Sequence, residues 1–173
     1  MESAQKNPQQ RVHQGGLARL LSRTFLQRLA NLVPFDGLRS DLYRMSGVRI
    51  GRGVFVGEGV VFDKLSAEAI EIGDRTAIGA RTIITAHQTI PTMTTLRRLY
   101  PDKVIRTVVE NDVWIMPGVI ITPGVRIGHH SVIATGAVVH KDVAPYSLVV
   151  GPGFRIAKQL DEGELAGPVA EGE

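Results

Sequence analysis

Apolar residues recur at an interval of six along the second half of the chain. The positions are Val109, Ile115, Ile121, Ile127, Ile133 and Val139. A second small or aliphatic residue follows each of them four places later, at Val113, Val119, Val125, Ser131, Ala137 and Val143. Six is neither the period of an α-helix, about 3.6, nor that of a β-strand, about 2. An interval this strict indicates a repeated structural unit.

Each block of six is too short for a helix and suits a short strand followed by a bend. The bends carry turn formers at Gly118, Gly124, Gly136 and Asp142, and His130 takes the glycine place in its block. Glycine, and less often asparagine, aspartate or histidine, tolerates the left-handed backbone of such bends. Three blocks would form a triangular coil of about 18 residues, and stacked coils would form a parallel β-solenoid. The first residue of each block then points inward.

The same interval occurs earlier in the chain, with two interruptions. Ile50, Val56 and Phe62 are six apart, and so are Ile72, Ile78 and Ile84. Four extra residues separate the two sets, which predicts a bulge near Lys64–Glu68. Residues 88–107 show no period of six and are predicted to form one long loop extruded from the solenoid. Long loops in compact repeat proteins are usually functional or disordered.

An amphipathic helix precedes the solenoid. Leu17, Leu21, Phe25, Leu29 and Leu32 form one helical stripe. Pro34 ends this helix, and a second short helix is expected before Gly47. Because an uncovered first coil is an open sheet edge, we interpret residues 17–46 as a helical cap packed across that coil. Contact with an anionic membrane surface is the less favoured alternative.

Composition excludes several classes of protein. The chain has 173 residues, no cysteine and a net charge of +3, so disulfides, thiolate metal sites and cysteine nucleophiles are excluded. No apolar run is long enough to span a membrane, and a cytoplasmic location is expected. Residues 1–16 and the acidic segment 159–173 are expected to be flexible tails. Nothing indicates nucleic-acid binding, since the basic residues lack interleaved aromatic side chains.

The blocks, a VWI segment and the segment ATGAVVHKDV resemble the hexapeptide-repeat acyltransferases, most closely the sugar O-acetyltransferase branch. The resemblance covers residues 47–158. It implies an all-β fold, a left-handed parallel β-helix, although the usual rule for parallel crossovers favours a right-handed one. It also implies a homotrimer with acetyl-CoA between subunits, no required metal, and a sugar or glycan hydroxyl as acceptor.

The resemblance further implies roles for individual residues. His87, at the start of the loop, matches the general base of the family. The positions implied to contact acetyl-CoA are Met116, Pro117, Ala134, Thr135, Gly136, His140, Lys141, Arg155 and Lys158. Met116 replaces the glycine of the family's WIG motif, and Gly151–Arg155 departs from its closing motif. A base is needed because a hydroxyl is a poor nucleophile at neutral pH, and histidine suits that task.

Other candidate residues leave alternatives open. Asp63 could orient the acceptor or be a solvated surface acid, and Arg97 and Arg98 could meet an anionic sugar or face water. A zinc-dependent solenoid of the γ-carbonic anhydrase type would need three histidines around the metal. Adjacent His129 and His130 point to opposite faces of a strand, so they suit such a site poorly. A catalytically inactive scaffold is the remaining alternative.

Overall fold

The computed structural model describes residues 16–90, 96 and 99–160. Two helices, α1 (Leu17–Leu32) and α2 (Asp36–Met45), precede the strands, and a short 3₁₀ turn spans Ala67–Ala69. The strands are β1 (Arg49–Ile50), β2 (Phe55–Val56), β3 (Val61–Phe62), β4 (Ile70–Ile72), β5 (Ala77–Ile78), β6 (Ile83–Ile84), β7 (His87–Gln88), β8 (Lys103–Val104), β9 (Thr107–Val109), β10 (Trp114–Ile115), β11 (Ile120–Ile121), β12 (Arg126–Ile127), β13 (Val132–Ile133), β14 (Val138–Val139), β15 (Ser147–Val150) and β16 (Arg155–Gln159).

Most strands stack into three parallel sheets, as expected for a β-solenoid. Face A has the order β1-β4-β9-β12, face B contains β2-β5-β10-β13-β15, and face C has the order β3-β6-β11-β14. The chain visits the faces in the order A, B, C, so each circuit adds one strand to every sheet. This circuit is the triangular coil that the spacing of six predicts, and the prediction of a parallel β-helix is confirmed.

The residues at the six-residue interval form the core. In register, each stacks on its equivalent one coil away, as Ile115 does between Ile78 and Ile133. Ile78, Ile115, Ile121, Ile127 and Ile133 are all 0% exposed. Branched aliphatic side chains fill the narrow interior in layers, and the burial of this ladder is the main force holding the coils together.

The bends between strands use the left-handed backbone where the blocks require it. Gly118, Gly124 and Gly136 have positive φ, and His130 has φ 56° in the place of glycine, as expected. Asp142 is different: its φ is not positive, and its carboxylate instead accepts a hydrogen bond from the Arg126 backbone N–H at 2.8 Å.

Helix α2 lies against the first coil and donates hydrogen bonds to its backbone. No earlier coil exists to pair with the outward carbonyls of this coil, and an unpaired buried carbonyl is costly. Side chains of α2 donate hydrogen bonds to five of these carbonyls, one of them the Gly51 carbonyl, which Arg44 contacts. The other four pairs are Arg39 with Val56 (2.7 Å), Ser40 with Val54 (3.0 Å), Tyr43 with Val60 (2.7 Å) and Arg44 with Ile50 (2.9 Å).

Helix α1 packs on α2 with the face opposite to the one that the sequence suggests. Its buried residues are Arg23, Gln27 and Ala30, whereas Leu17 and Phe25 of the apolar stripe are 73% and 66% exposed. The amphipathic pattern therefore predicts the helix correctly but not the face that packs on the molecule.

Two further strands depart from the regular stacking. β7 pairs with β8 in antiparallel fashion, with His87 beside Val104, at the base of the predicted loop. β16 turns back against β15 and pairs antiparallel with it, so the final strand of the resembling segment does not continue the coil. Within the described ranges, no helix is long and apolar enough to cross a membrane.

Candidate active site

Asp63 and His87 meet at the corner where the chain leaves face C. Asp63 directly follows β3, and His87 opens β7 one coil later. Because Phe62 pairs with Ile84 across β3 and β6, the two following segments lie side by side. The carboxylate Oδ2 of Asp63 contacts Nδ1 of His87.

The carboxylate of Asp63 is held by backbone groups on both of its oxygens. Oδ2 also accepts the N–H of Ala86 at 3.1 Å, and Oδ1 accepts the N–H groups of Leu65 at 2.9 Å and Ser66 at 3.3 Å. The side chain is 1% exposed, so the expectation of a solvated surface acid is wrong. Its contacts point at His87, and they favour an orienting role toward the imidazole.

The imidazole of His87 remains partly open to solvent, with 24% of its side chain exposed. Since Nδ1 faces Asp63, the ring is fixed with Nε2 as the nitrogen that can take a proton from a bound molecule. A carboxylate behind Nδ1 favours the tautomer with hydrogen on Nδ1 and a lone pair on Nε2. This arrangement is chemically suited to general-base catalysis.

A second group of predicted residues stacks at the corner between faces B and C. Met116 and Pro117 follow β10, and Ala134, Thr135 and Gly136 follow β13 one coil later. The two turns are joined by hydrogen bonds from Met116 N–H to the Ile133 carbonyl at 2.9 Å and from Gly136 N–H to the Pro117 carbonyl at 3.2 Å. The predicted residues therefore form one continuous column.

Open space lies beside this column. Gly136 has φ +70°, a left-handed value that favours glycine, and a side chain built there would meet no atom within 4 Å. The backbone of the turns is thus accessible to an extended ligand, which fits the pantetheine arm implied by the resemblance.

The predicted basic residues lie in the last coil at two places, His140 and Lys141 at the corner between faces C and A, and Arg155 and Lys158 beside face B. Lys141 and His140 follow β14, whereas Arg155 and Lys158 lie on β16, and all four are exposed. The ring of Phe154 links the two segments by an edge contact with His140 at 5.5 Å between centroids. Exposed cations suit the phosphates of a nucleotide.

Within one chain, His87 does not lie beside this column. The histidine is at the corner between faces C and A, and Met116 is at the corner between faces B and C, so the width of face C separates them. The predicted acceptor contacts Arg97 and Arg98 lie outside the described residues.

The adjacent histidines lie at the third corner, between faces A and B. His129 and His130 contact each other through Nδ1 at 2.9 Å, and His130 stacks on Tyr146 with centroids 5.1 Å apart. They line a groove of about 480 Å³ together with acidic residues. Hydrogen bonding from Arg75 lowers the pKa of Asp112 in this groove, so this carboxylate stays charged.

A zinc centre finds no support in this part of the molecule. Across residues 16–90, 96 and 99–160, no three histidine, cysteine, aspartate or glutamate side chains are grouped so that they could hold a metal ion. The γ-carbonic anhydrase alternative therefore lacks a ligand set among the described residues.

The Asp63–His87 pair is the feature that sequence reasoning missed. The two residues are 24 positions apart, and the bulge at Lys64–Glu68 hides their alignment. The inward residues of the repeat contained a signal for this pairing. Phe62 pairs with Ile84 in the next coil. Asp63 directly follows Phe62, and His87 comes three residues after Ile84. Aligning the coils by their ladder residues would have placed the pair together.

Comparison with known proteins identifies similar sequences. The family model described as "Bacterial transferase hexapeptide (six repeats)" matches residues 106–141. YvoF of Bacillus subtilis (strain 168), which is named as an acetyltransferase, is 29% identical over 136 residues, or 78% of this chain and 74% of that protein. Chloramphenicol acetyltransferases also match, but the chain spans only 29% of the length of the one from Agrobacterium fabrum.

Solved structures with the same architecture cover most of the chain. A hexapeptide-repeat acetyltransferase of Vibrio cholerae, solved in complex with acetyl coenzyme A, is 26% identical with a TM-score of 0.64, covering 84% of this chain and 88% of that one. A maltose O-acetyltransferase of Clostridium difficile 630 is also 26% identical, with a TM-score of 0.64, over 84% of this chain and 90% of that one.

Proposed function

We infer that the chain is a hexapeptide-repeat acyltransferase, as its similarity to such proteins supports, and we propose that it transfers an acetyl group from acetyl-CoA to a hydroxyl of a sugar or glycan. The observation that carries the proposal is the Asp63–His87 pair, a buried carboxylate behind a partly exposed imidazole. Similarity to a maltose O-acetyltransferase supports a sugar acceptor. A left-handed coil and a cytoplasmic location stay predictions.

His87 acts as general base in direct transfer. Its Nε2 takes the proton of the acceptor hydroxyl while the hydroxyl oxygen attacks the thioester carbonyl, and the C–S bond then breaks. The same imidazolium returns the proton to the leaving thiolate, so the histidine ends in its starting state. Asp63 keeps the ring in the required tautomer and stabilises the imidazolium that forms.

The column at the corner between faces B and C binds acetyl-CoA. Backbone groups of Met116–Gly118 and Ala134–Gly136 line the pantetheine arm, and Lys141, Arg155 and Lys158 bind the phosphates. Support comes from the open space beside Gly136 and from the Vibrio cholerae relative, which was solved with acetyl coenzyme A.

The active site is completed by a second copy of the chain, in a homotrimer. Faces B and C carry apolar residues outward, such as Trp114 (53% exposed) on B and Ile120 (38% exposed) on C. Face A instead carries ion pairs, with Glu71 between Arg49 and Arg106. Contacts between unlike faces of neighbouring copies are heterologous, and they form a closed ring when the rotation between copies closes. Within one chain the width of face C separates His87 from the column, so a neighbouring copy is needed to bring the two together.

Free thiol release from acetyl-CoA in the presence of a panel of sugars tests this function. The wild-type protein should release CoA with at least one hydroxyl acceptor, and His87→Ala should reduce kcat by about 10²–10⁴-fold. Acetyl-CoA affinity should be retained, because the side chain lies at a loop entrance and not in the aliphatic ladder.

His129→Ala is the matched control, since His129 lies at another corner, and it should retain normal turnover. A His87→Ala protein with full activity on a genuine acceptor would contradict the mechanism. Loss of activity together with unfolding would assign His87 a structural role instead.

A further inference from the structure

Helix α1 presents a row of large apolar side chains to solvent. This row, the α1 stripe, consists of Leu17, Leu21, Phe25, Leu29 and Leu32, and Leu32 is 80% exposed. Single exposed apolar residues are ordinary, but a contiguous row marks an interaction surface.

The apolar surface continues beyond the end of the helix. Phe35 and Leu38, which follow the stripe along the chain, are 70% and 50% exposed. Two aromatic rings and several leucines are thus available on one end of the molecule, next to the first coil.

Polar contacts hold α1 in this orientation. The guanidinium of Arg23 donates to the carbonyls of Lys64 and Leu65 at 3.2 and 3.4 Å and pairs with Glu68 at 2.6 Å. Arg23 is 7% exposed and Gln27 is 3% exposed. Rotating the helix to bury the stripe would break these bonds and leave buried polar groups unpaired, so these contacts favour the observed rotation.

The positive charge of α1 indicates that the α1 stripe binds a partner with negative charge. α1 contains three arginines and no acidic residue. Arg28 lies within the exposed face, since at about 100° per residue it projects between Leu17 and Leu21, and Arg19 is also exposed. A helix with a leucine and phenylalanine face and exposed arginines is suited to lie in the interface of an anionic bilayer.

We propose that the α1 stripe docks this protein on an anionic lipid surface. The apolar side chains enter the boundary between headgroups and acyl chains, while Arg28 reaches the phosphates. Long arginine side chains can follow an apolar surface and keep the charged group at the headgroup level. The proposal does not depend on the acetyl-transfer activity.

A second copy of the chain suits this surface less well. Two α1 helices packed face to face would bring their arginines together, with no acid on either helix to compensate. Asp36 and Asp41 of α2 are already paired with Arg39 and Arg44. An anionic bilayer supplies both the apolar layer and the negative charge, so the observations favour lipid.

Docking would place the candidate catalytic pair close to the lipid headgroups. Arg23 contacts the carbonyls of Lys64 and Leu65, and the N–H of Leu65 holds Asp63. If the proposed function holds, a glycan attached to a lipid becomes the acceptor most easily reached. Vesicle binding tests the docking separately from that activity.

Co-sedimentation with vesicles measures the docking directly. The full chain should bind vesicles made of equal parts phosphatidylcholine and phosphatidylglycerol, and it should bind less to pure phosphatidylcholine or at high salt. Phe25→Glu should lower the partition coefficient by about tenfold or more, since it removes a large apolar group and adds a negative charge. Arg28→Glu should lower it by about fivefold or more, given about 1 kcal/mol per arginine near such a surface.

Arg52→Glu is the matched control, because it makes the same charge change at a residue whose side chain is 95% exposed on the first coil. It should bind like the wild type apart from a small effect of net charge. Circular dichroism should show all variants folded, as the altered side chains are exposed.

Two kinds of outcome would overturn the proposal. One is a wild-type protein that does not bind anionic vesicles, or a Phe25→Glu protein that binds them equally well. The other is a self-association in light scattering that Phe25→Glu abolishes while vesicles have no effect, which would assign the α1 stripe to a second copy.

Discussion

At the scale of single residues, the proposed catalytic role of His87 depends on the hydrogen-bond partner of its Nδ1 atom. His87 alone is a histidine at a loop entrance, and its contact with Asp63 is the observation on which the proposed role as general base rests. The carboxylate has no freedom of its own, since both oxygens accept backbone N–H groups. A buried, fully bonded carboxylate can set the tautomer of the ring because it cannot rotate away.

Asp63→Asn tests this orienting role. One end of the asparagine amide must be an NH₂ group, and it would face either the Leu65 and Ser66 N–H groups or His87. Because both ends of Asp63 accept hydrogen bonds, one set must break, and kcat should fall by about 10²–10⁴-fold. The KM for acetyl-CoA should stay close to the wild-type value, which separates a positioning role from general damage. An unchanged kcat would show that His87 works without Asp63.

Tyr43 stabilises the folded protein through its buried ring and its hydroxyl group. It is 0% exposed, its ring packs edge-on against Phe62, and its hydroxyl lies 2.7 Å from the Val60 carbonyl. Burial raises the pKa of Tyr43 from 10.0 to about 12, although Arg39 acts in the opposite direction. The neutral phenol is therefore the form that the folded protein requires.

Stability should decline at alkaline pH for this reason. The folded pKa lies above the unfolded value, so this contribution is complete below pH 10 and is lost as pH rises from 10 to about 12. Tyr43→Phe should cost about 1–3 kcal/mol at neutral pH, because the Val60 carbonyl loses its partner, and should flatten the decline. Urea unfolding at several pH values measures both effects. Tyr100→Phe, at an exposed tyrosine, should change neither.

At the scale of elements, a strand of two residues has one inward and one outward position. In β11, Ile121 is 0% exposed and Ile120 is 38% exposed. The inward residue joins the aliphatic ladder, and the outward residue joins the surface of face C. Neighbouring isoleucines therefore have different surroundings, one in the aliphatic ladder and the other on the outer surface, where the proposed trimer would pack.

Ile121→Asp and Ile120→Asp form a matched pair. Ile121→Asp puts an unpaired charge into a dry interior and should abolish soluble folding. Ile120→Asp should keep the β-dominated circular dichroism spectrum but break the trimer, so that light scattering reports 18.8 kDa instead of three times that mass. A folded Ile121→Asp protein would contradict the ladder, and an intact Ile120→Asp trimer would remove face C from the interface.

The helices show that an element can be predicted while its packing is not. α1 follows its amphipathic pattern, yet Arg23 and Gln27 occupy the buried side. The exposed carbonyls of the first coil and its bulge require hydrogen-bond donors, and leucine side chains supply none. The rotation of α1 about its axis is therefore set by the hydrogen bonds that its polar side chains donate to these carbonyls.

At the scale of the whole molecule, the three corners of the coil have different contents. One carries Asp63 and His87, the second carries the open column beside Gly136, and the third carries His129 and His130. Because the first two lie at opposite edges of face C, the proposed acetyl-transfer site needs two copies of the chain. Under this proposal, a variant that separates the copies also loses activity.

Arg155→Ala tests the nucleotide end of the site. Removing a cation that binds a remote phosphate should raise the KM for acetyl-CoA roughly tenfold. The kcat should change little, since such a contact is equally strong in the ground and transition states. Arg49→Ala, on the ion-paired face A, is the control and should leave KM unchanged. An unaltered KM for Arg155→Ala would show that β16 binds something else.

The sequence by itself determined the parallel β-helix and its inward residues. Few folds repeat every six residues, and such a repeat can be read from the sequence alone because it depends only on the spacing of neighbouring residues. Only the tertiary structure decided three other features: the pairing of Asp63 with His87, the outward rotation of α1 and the return of β16 along β15. Each of these depends on contacts between distant segments, where an unpaired carbonyl or carboxylate must find a partner in space, and no spacing along the chain records which partner that is.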